Sequence, residues 1–346
     1  MKKNTILFLG LILFAICFVS SCSSSQDSRI RNEGPEQVDF KVLPFPLKDV
    51  KLLDGPFKQA TELNVNSLLN YEPDRLLAKF RTEAGLEAKA DHYEGWESNT
   101  IAGHSLGHYL SACALMYNST GDERFLERVK YIVDELEICQ NADPDGYLGA
   151  FPDGKRILEG EVAEGDIRSK GFDLNGIWVP FYTQHKVMDG LNNAYKLCGI
   201  NKALPINTKF ADWLETIVDD LTDAQIQNML DCEHGGINES LAELYGFTGN
   251  EKYLHLSKVF HHKSILDSLA HEKDILPGKH ANTQIPKIVG TARRYELTGD
   301  LDDRKISEFF WDRVVHHHSY VTGGHCNHEY FGPADTLRNR LSSNTT

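Results

Sequence analysis

From about Pro56 onward, apolar residues recur at helical spacing. The runs Asn64–Leu69, Leu106–Tyr117, Phe125–Ile138, Phe210–Met229, Leu254–Leu269 and Ile306–Val315 place their apolar side chains mostly three or four positions apart, as a single buried helix face requires. No alternating stretch of any length, the mark of a half-buried strand, interrupts them. Only Phe40–Leu53, with Pro44 and Pro46 among short apolar alternations, reads as an extended entry strand. The pattern predicts an all-α chain with a short extended N-terminal segment.

A repeat organises these helices. Tyr117–Gly121, Tyr195–Gly199, Tyr245–Gly249 and Tyr295–Gly299 share Tyr-x-x-x-Gly, with their tyrosines 78, 50 and 50 residues apart. Glycine just past a helix end takes the left-handed conformation that closes the last turn. Asp122, Asn250 and Asp300 follow three of the four glycines and offer an oxygen to the first turn of a second helix. Each of these units is then a helix, a glycine-ended turn and another helix. One hairpin cannot bury its own apolar face, so periods near 50 imply a stacked or closed array of helical hairpins. Closed α/α toroids and open solenoids satisfy this equally.

The first 40 residues lie outside the array. Lys2 and Lys3 precede an apolar run from Ile6 to Phe18, followed by Val19, Ser20, Ser21, Cys22 and further serines to Ser28. This order makes a secretory leader over residues 1–22 that is too short to span a bilayer. Its ending resembles a bacterial lipobox, which implies cleavage before Cys22 and lipidation of that thiol in an exported lipoprotein. Plain secretion with an incidental Cys22 is the alternative. Residues 23–40 are polar and charged and read as a tether, leaving 41–346 as the folded domain. A net charge of −14 with no basic run argues against nucleic acid or anionic lipid as the partner, so membrane contact is confined to the N-terminal lipid. Cys113, Cys139, Cys198, Cys232 and Cys326 remain, none in a C-x-x-C pair, which predicts neither a disulfide framework nor a zinc knuckle.

Candidate chemistry follows the repeat. Histidines stand upstream of each turn tyrosine: His104 and His108, His185, His234 and His280. Helices that end at equivalent turns begin on one face, which should then carry several imidazoles beside helix N-termini. One such histidine is ordinarily a surface or capping residue; recurrence in four units marks a candidate site. Asp145–Pro152, Ile177–His185 and His280–Lys287 mix aromatics with amides and little charge, as sugar-binding clefts do, although turn geometry also explains their Gly and Pro. His316–Phe331 is the densest cluster of titratable residues. As a metal site it offers His325, Cys326, His328 and Glu329, yet only His325 and Glu329 stand four apart and Gly323–Gly324 signals a loop, so the metal reading is the weaker. Glu329 suits general acid/base work, with partial burial against Tyr330 and Phe331 favouring its protonated form.

Five blocks, Gly103–Ala112, Trp178–Lys186, Glu233–Glu239, His280–Lys287 and Tyr320–Gly324, together resemble the β-L-arabinofuranosidases of glycoside hydrolase families 127 and 146, over about Val42 to the last residue. The resemblance implies an (α/α)6 toroid followed by β-sandwich domains, and retaining hydrolysis of terminal β-L-arabinofuranosyl groups on a carbohydrate substrate. It makes Glu329 the acid/base residue and places His185, His234 and His280 in the sugar pocket; Gln284, in the His280–Lys287 segment, is a further candidate for binding the substrate. The family's nucleophile is a cysteine thiolate held on zinc by further cysteines and a glutamate, supplied after a segment like Ser343–Thr346. On this sequence, which stops at Thr346, the expectation is therefore an incomplete toroid, aggregation-prone along its open edge. Zinc is expected in full-length members and no metal site in these residues, which should not turn over substrate by themselves. Cys326 is no substitute nucleophile, since the family usually has a small polar residue there. Two rival functions remain. A non-catalytic glycan-binding lipoprotein needs aromatic platforms but no positioned acid. Another α/α-toroid enzyme, such as an unsaturated uronyl hydrolase or a polysaccharide lyase, should bring Arg and Lys to its cleft.

Overall fold

The computed structural model describes residues 38–342. Cys22 and the leader lie outside the described residues, as do most of the tether and residues 343–346. The α-helices are α1 Pro56–Leu69, α2 Pro73–Glu83, α3 His104–Thr120, α4 Glu123–Ala142, α5 Gly154–Ile157, α6 Pro180–Cys198, α7 Ala203–Val218, α8 Asp223–Leu230, α9 Ile237–Thr248, α10 Glu251–Val259, α11 Lys263–Ala270, α12 Ala281–Thr298 and α13 Leu301–Asp312. The chain is mostly helical, as its periodicity predicts.

All four repeat turns form as expected. Gly121, Gly199, Gly249 and Gly299 have φ of 71°, 66°, 66° and 73°, and each donates its N–H to the carbonyl of the tyrosine four residues earlier. Asp122, Asn250 and Asp300 then accept N–H bonds from the first turns of α4, α10 and α13. Two long apolar runs break where local chemistry says they should. Thr222 and Gln225 form a reciprocal capping box that starts α8 inside Phe210–Met229, and Leu254–Leu269 is interrupted between α10 and α11.

The first helices of the hairpins, α3, α6, α9 and α12, pack side by side in chain order, and each carries its second helix (α4, α7, α10, α13) against it. Gly107 sets the closest crossing: a Cβ there would lie 2.2 Å from the Lys186 carbonyl, so α3 meets α6 backbone to backbone. Phe125, Leu136, Phe210, Trp213 and Phe247 fill the space between the layers. A smaller cluster of Ile265, Leu266, Leu276, Phe310, Cys326 and Phe331 supports the C-terminal part.

Two expectations are corrected. No strand forms over Phe40–Leu53, which contains only a 3-10 turn at Leu47–Asp49 and leaves Val42, Phe45 and Leu53 exposed. Its prolines remove donors that a ladder needs. Strands do form later, each of two residues, too short to give a period: β1 Ser169–Lys170, β2 Asp173–Leu174 and β3 Ile177–Trp178 make an antiparallel sheet, and β4 Cys326–Asn327 pairs with β5 Tyr330–Phe331.

Candidate active site

The N-terminal ends of α3, α6, α9 and α12 come together, and the repeated histidines come with them. His104 opens α3 and is buried, its Nδ1 2.8 Å from the Ile101 carbonyl. One turn on, His108 Nε2 lies 3.3 Å from the Tyr182 hydroxyl of α6, and burial pushes this imidazole down to about 4. His185 Nδ1 accepts the Gly236 N–H at 3.0 Å, tying α6 to the turn before α9. That turn requires glycine: Gly235 has φ +58°, and a Cβ there would lie 2.7 Å from His185 Nδ1. Burial holds His185 neutral. With Nδ1 occupied as an acceptor, its proton resides on Nε2, which faces Glu239 Oε2 at 3.9 Å.

The β4–β5 hairpin brings Glu329 to the start of α12. Ala281 N–H donates to the Glu329 carbonyl and Phe331 N–H to the Lys279 carbonyl. His280 caps α12, its Nδ1 accepting the Thr283 N–H at 3.3 Å. Phe172 and Tyr330 stand edge-on to the His280 ring at 5.2 and 5.3 Å. Its Nε2 is 3.3 Å from Glu329 Oε2. His328 and Glu329 both have positive φ, 49° and 70°, a conformation that non-glycine residues adopt at a cost and that recurs at functional sites. The expected burial of Glu329 is absent. Its side chain is 64% exposed, because the turn projects it outward while Tyr330 packs on His280 and Phe331 turns into the core.

Behind this surface lies a buried polar layer. His234 is fully buried, with Nδ1 on the Cys232 carbonyl at 3.0 Å and no partner at Nε2. Burial holds it neutral. Lys287 is 1% exposed and donates to His262 Nδ1 at 2.9 Å and Gln284 Oε1 at 3.1 Å. Burial lowers Lys287 to about 7 and His262 to about 3. Gln284 also donates to the His280 carbonyl, so both ends of its amide are engaged within the protein. Glu233, 6% exposed, is raised by burial, against the opposing pull of His280, Thr283 and Lys287. Burial beside Asp189 and Glu243 pushes Glu239 up to about 8.

The sequence blocks contain Glu233 and Lys287, but the repeat marks only the histidines His234 and His280 near them. His262, in the α10–α11 turn, gives no local signal at all. Two lysines, Lys186 and Lys287, reach the site. Neither makes an open cationic surface: Lys287 is buried, and Lys186 lies 5.0 Å over the Tyr182 ring, near Asp189, Glu239 and Glu233.

Among the described residues, no group of three or more His, Cys, Asp and Glu is disposed to hold a metal ion. They do not fit the zinc centre that the resemblance attaches to the family. Cys326 is buried beneath the hairpin while His328 and Glu329 project from it. Burial raises Cys113 and Cys139 to about 11 and Cys198 and Cys232 to about 12, so these four are protonated thiols and not ready nucleophiles.

Residues 49–346 match the family described as beta-L-arabinofuranosidase, GH127 catalytic domain. No curated protein matches the chain. Two solved structures share its fold. One is Ara127N-Se, a GH127 β-L-arabinofuranosidase from Geobacillus stearothermophilus T6, with a TM-score of 0.53 and 20% identity over 78% of this chain and 44% of that one. The other is the GH127 β-arabinofuranosidase BT3674, with a TM-score of 0.55 and 20% identity over 84% of this chain and 47% of that one. The chain thus spans less than half the length of either structure.

Proposed function

Because this chain belongs to the GH127 β-L-arabinofuranosidase catalytic-domain family, we propose that the whole protein is a glycosidase that removes terminal β-L-arabinofuranosyl groups with retention. The observation that carries this reading is the His280–Glu329 pair at the convergent helix N-termini. Retention needs one group to protonate the leaving oxygen and then to activate water. Glu329 is placed for both, exposed to an incoming substrate and oriented by the imidazole of His280. Phe172 and Tyr330 flank that imidazole with apolar ring faces suited to a sugar. His185 is a neutral donor at Nε2 for hydroxyls. His234 and Gln284 act from beneath, holding the floor. The protein is exported and tethered through a lipid on Cys22.

The test is hydrolysis of a β-L-arabinofuranoside with a poor alkyl or sugar leaving group by the whole protein and by Glu329→Gln. Loss of an acid/base group should lower the rate about 10²–10⁴-fold. Activity unaffected by the substitution removes Glu329 from its role. No activity on any arabinofuranoside favours a glycan-binding protein.

A further inference from the structure

A large aromatic side chain left in water carries information when a pinned turn presents it beside a site. Trp96 is 62% exposed, and its 3-10 turn, Gly95–Ser98, is held from several sides. Asn99 donates its backbone N–H to the Trp96 carbonyl and its amide to the Gly95 carbonyl, both at 3.0 Å. Beside the indole in sequence, Glu97 is buried and accepts the Gly103 N–H at 2.9 Å, which fastens the turn to the start of α3. Trp178, half-buried, meets Trp96 edge-on at 6.4 Å. Its backbone N–H donates to Thr100 Oγ1 at 3.0 Å.

This pair is continuous with the candidate active site. The Trp96 ring lies 5.5 Å from the His104 ring, and His104 lies 6.1 Å from Tyr182. Tyr182 in turn lines the glycine turn that holds His185: a Cβ on Gly235 would lie 3.2 Å from the Tyr182 ring. By a second route, Val179, the residue after Trp178, donates its N–H to the Phe172 carbonyl, and Phe172 stands against His280. Aromatic surface thus runs from Trp96 towards both the His185 donor and the His280–Glu329 pair.

We propose that Trp96, backed by Trp178, is the platform for a second sugar ring, so that the ligand is a neutral oligosaccharide and not a lone arabinofuranosyl group. An indole face packs on the C–H face of such a ring, and a turn pinned in place gives up little freedom to bind it. The local charges select against acidic sugars. Residues 91–100 contain Asp91, Glu94 and Glu97 and no Lys or Arg. Lys186, over the Tyr182 ring, is already faced by Asp189, Glu239 and Glu233. A ring bearing a carboxylate would be repelled there. Assigning the second ring to the leaving-group side rests on the arabinofuranosidase reading, since a terminal group is cut from the rest of its glycan; the platform itself does not.

The experiment compares kcat/KM of the whole protein and of Trp96→Ala on two substrates with unactivated leaving groups, methyl β-L-arabinofuranoside and a β-L-arabinofuranosyl disaccharide. The disaccharide should lose about 3–10-fold, the effect of one aromatic contact, and the methyl glycoside nothing. A merely structural role would lower both alike. Binding is read apart from turnover by NMR. The Trp96 indole ¹H–¹⁵N signal, assigned by its absence in Trp96→Phe, should shift on titration with neutral arabino-oligosaccharides and stay in place with oligogalacturonate. In an active enzyme, equal losses on both substrates or no loss on either overturns the proposal. So does an indole signal that ignores the neutral glycan or follows the acidic one equally. A shift with the neutral glycan alone, in a protein that cleaves neither substrate, upholds the platform and sinks the arabinofuranosidase reading. Cleavage with an unmoved indole sinks the platform alone.

Discussion

Lys287 shows how far a residue's chemistry is set by what surrounds it. Burial holds its ammonium at about 7, whereas in an unfolded chain it titrates near 10.4. Between those values the unfolded chain binds a proton that the folded chain does not, so stability rises with pH. The cost of burying the charge is felt fully below pH 7 and fades toward pH 10. Unfolding free energies measured from pH 7 to 10 should therefore climb more steeply, by up to ~1.4 kcal/mol per pH unit, than those of Lys287→Met. Parallel slopes would show that Lys287 keeps an ordinary ammonium in the folded chain. His280 and Glu329 were legible in the sequence, because each sits in a motif with its own local logic. Glu233, His262 and Lys287 were not, because nothing within a few positions distinguishes them from solvated or core residues. Their meaning comes from three helix starts meeting.

At the scale of elements, the turn signals were the most readable part of the chain. Tyr-x-x-x-Gly and the Asp or Asn after it are local devices, and each forms where the spacing places it. The two-residue strands were invisible for the opposite reason: they exist through pairing partners that periodicity does not encode. The α12–α13 hairpin is further locked by a buried pair, in which Arg294 donates to Asp303 and to the Ser257 carbonyl. Asp303→Ala leaves that guanidinium buried without its carboxylate and should cost about 3–5 kcal/mol in urea unfolding. A loss below ~1 kcal/mol would mean that water reaches Arg294 and that the pair is not a lock.

For the molecule as a whole, pattern alone left toroid and solenoid equal, and the match over residues 49–346 decides for the GH127 domain. The expected leader raises a separate question of location. If Cys22 is acylated, metabolic labelling with a fatty-acid analogue should mark the protein and not its Cys22→Ala variant; equal labelling of both would contradict a lipid tether. The central claim is that Glu329 protonates a departing sugar oxygen at the convergence of four helix N-termini. Its most direct test compares kcat/KM for Glu329→Gln on two β-L-arabinofuranosides, one with a poor alkyl or sugar leaving group and one with a strongly acidic phenol. A phenolate departs without help, so the loss should be about 10²–10⁴-fold on the first substrate and much smaller on the second. An equal loss on both would contradict the account.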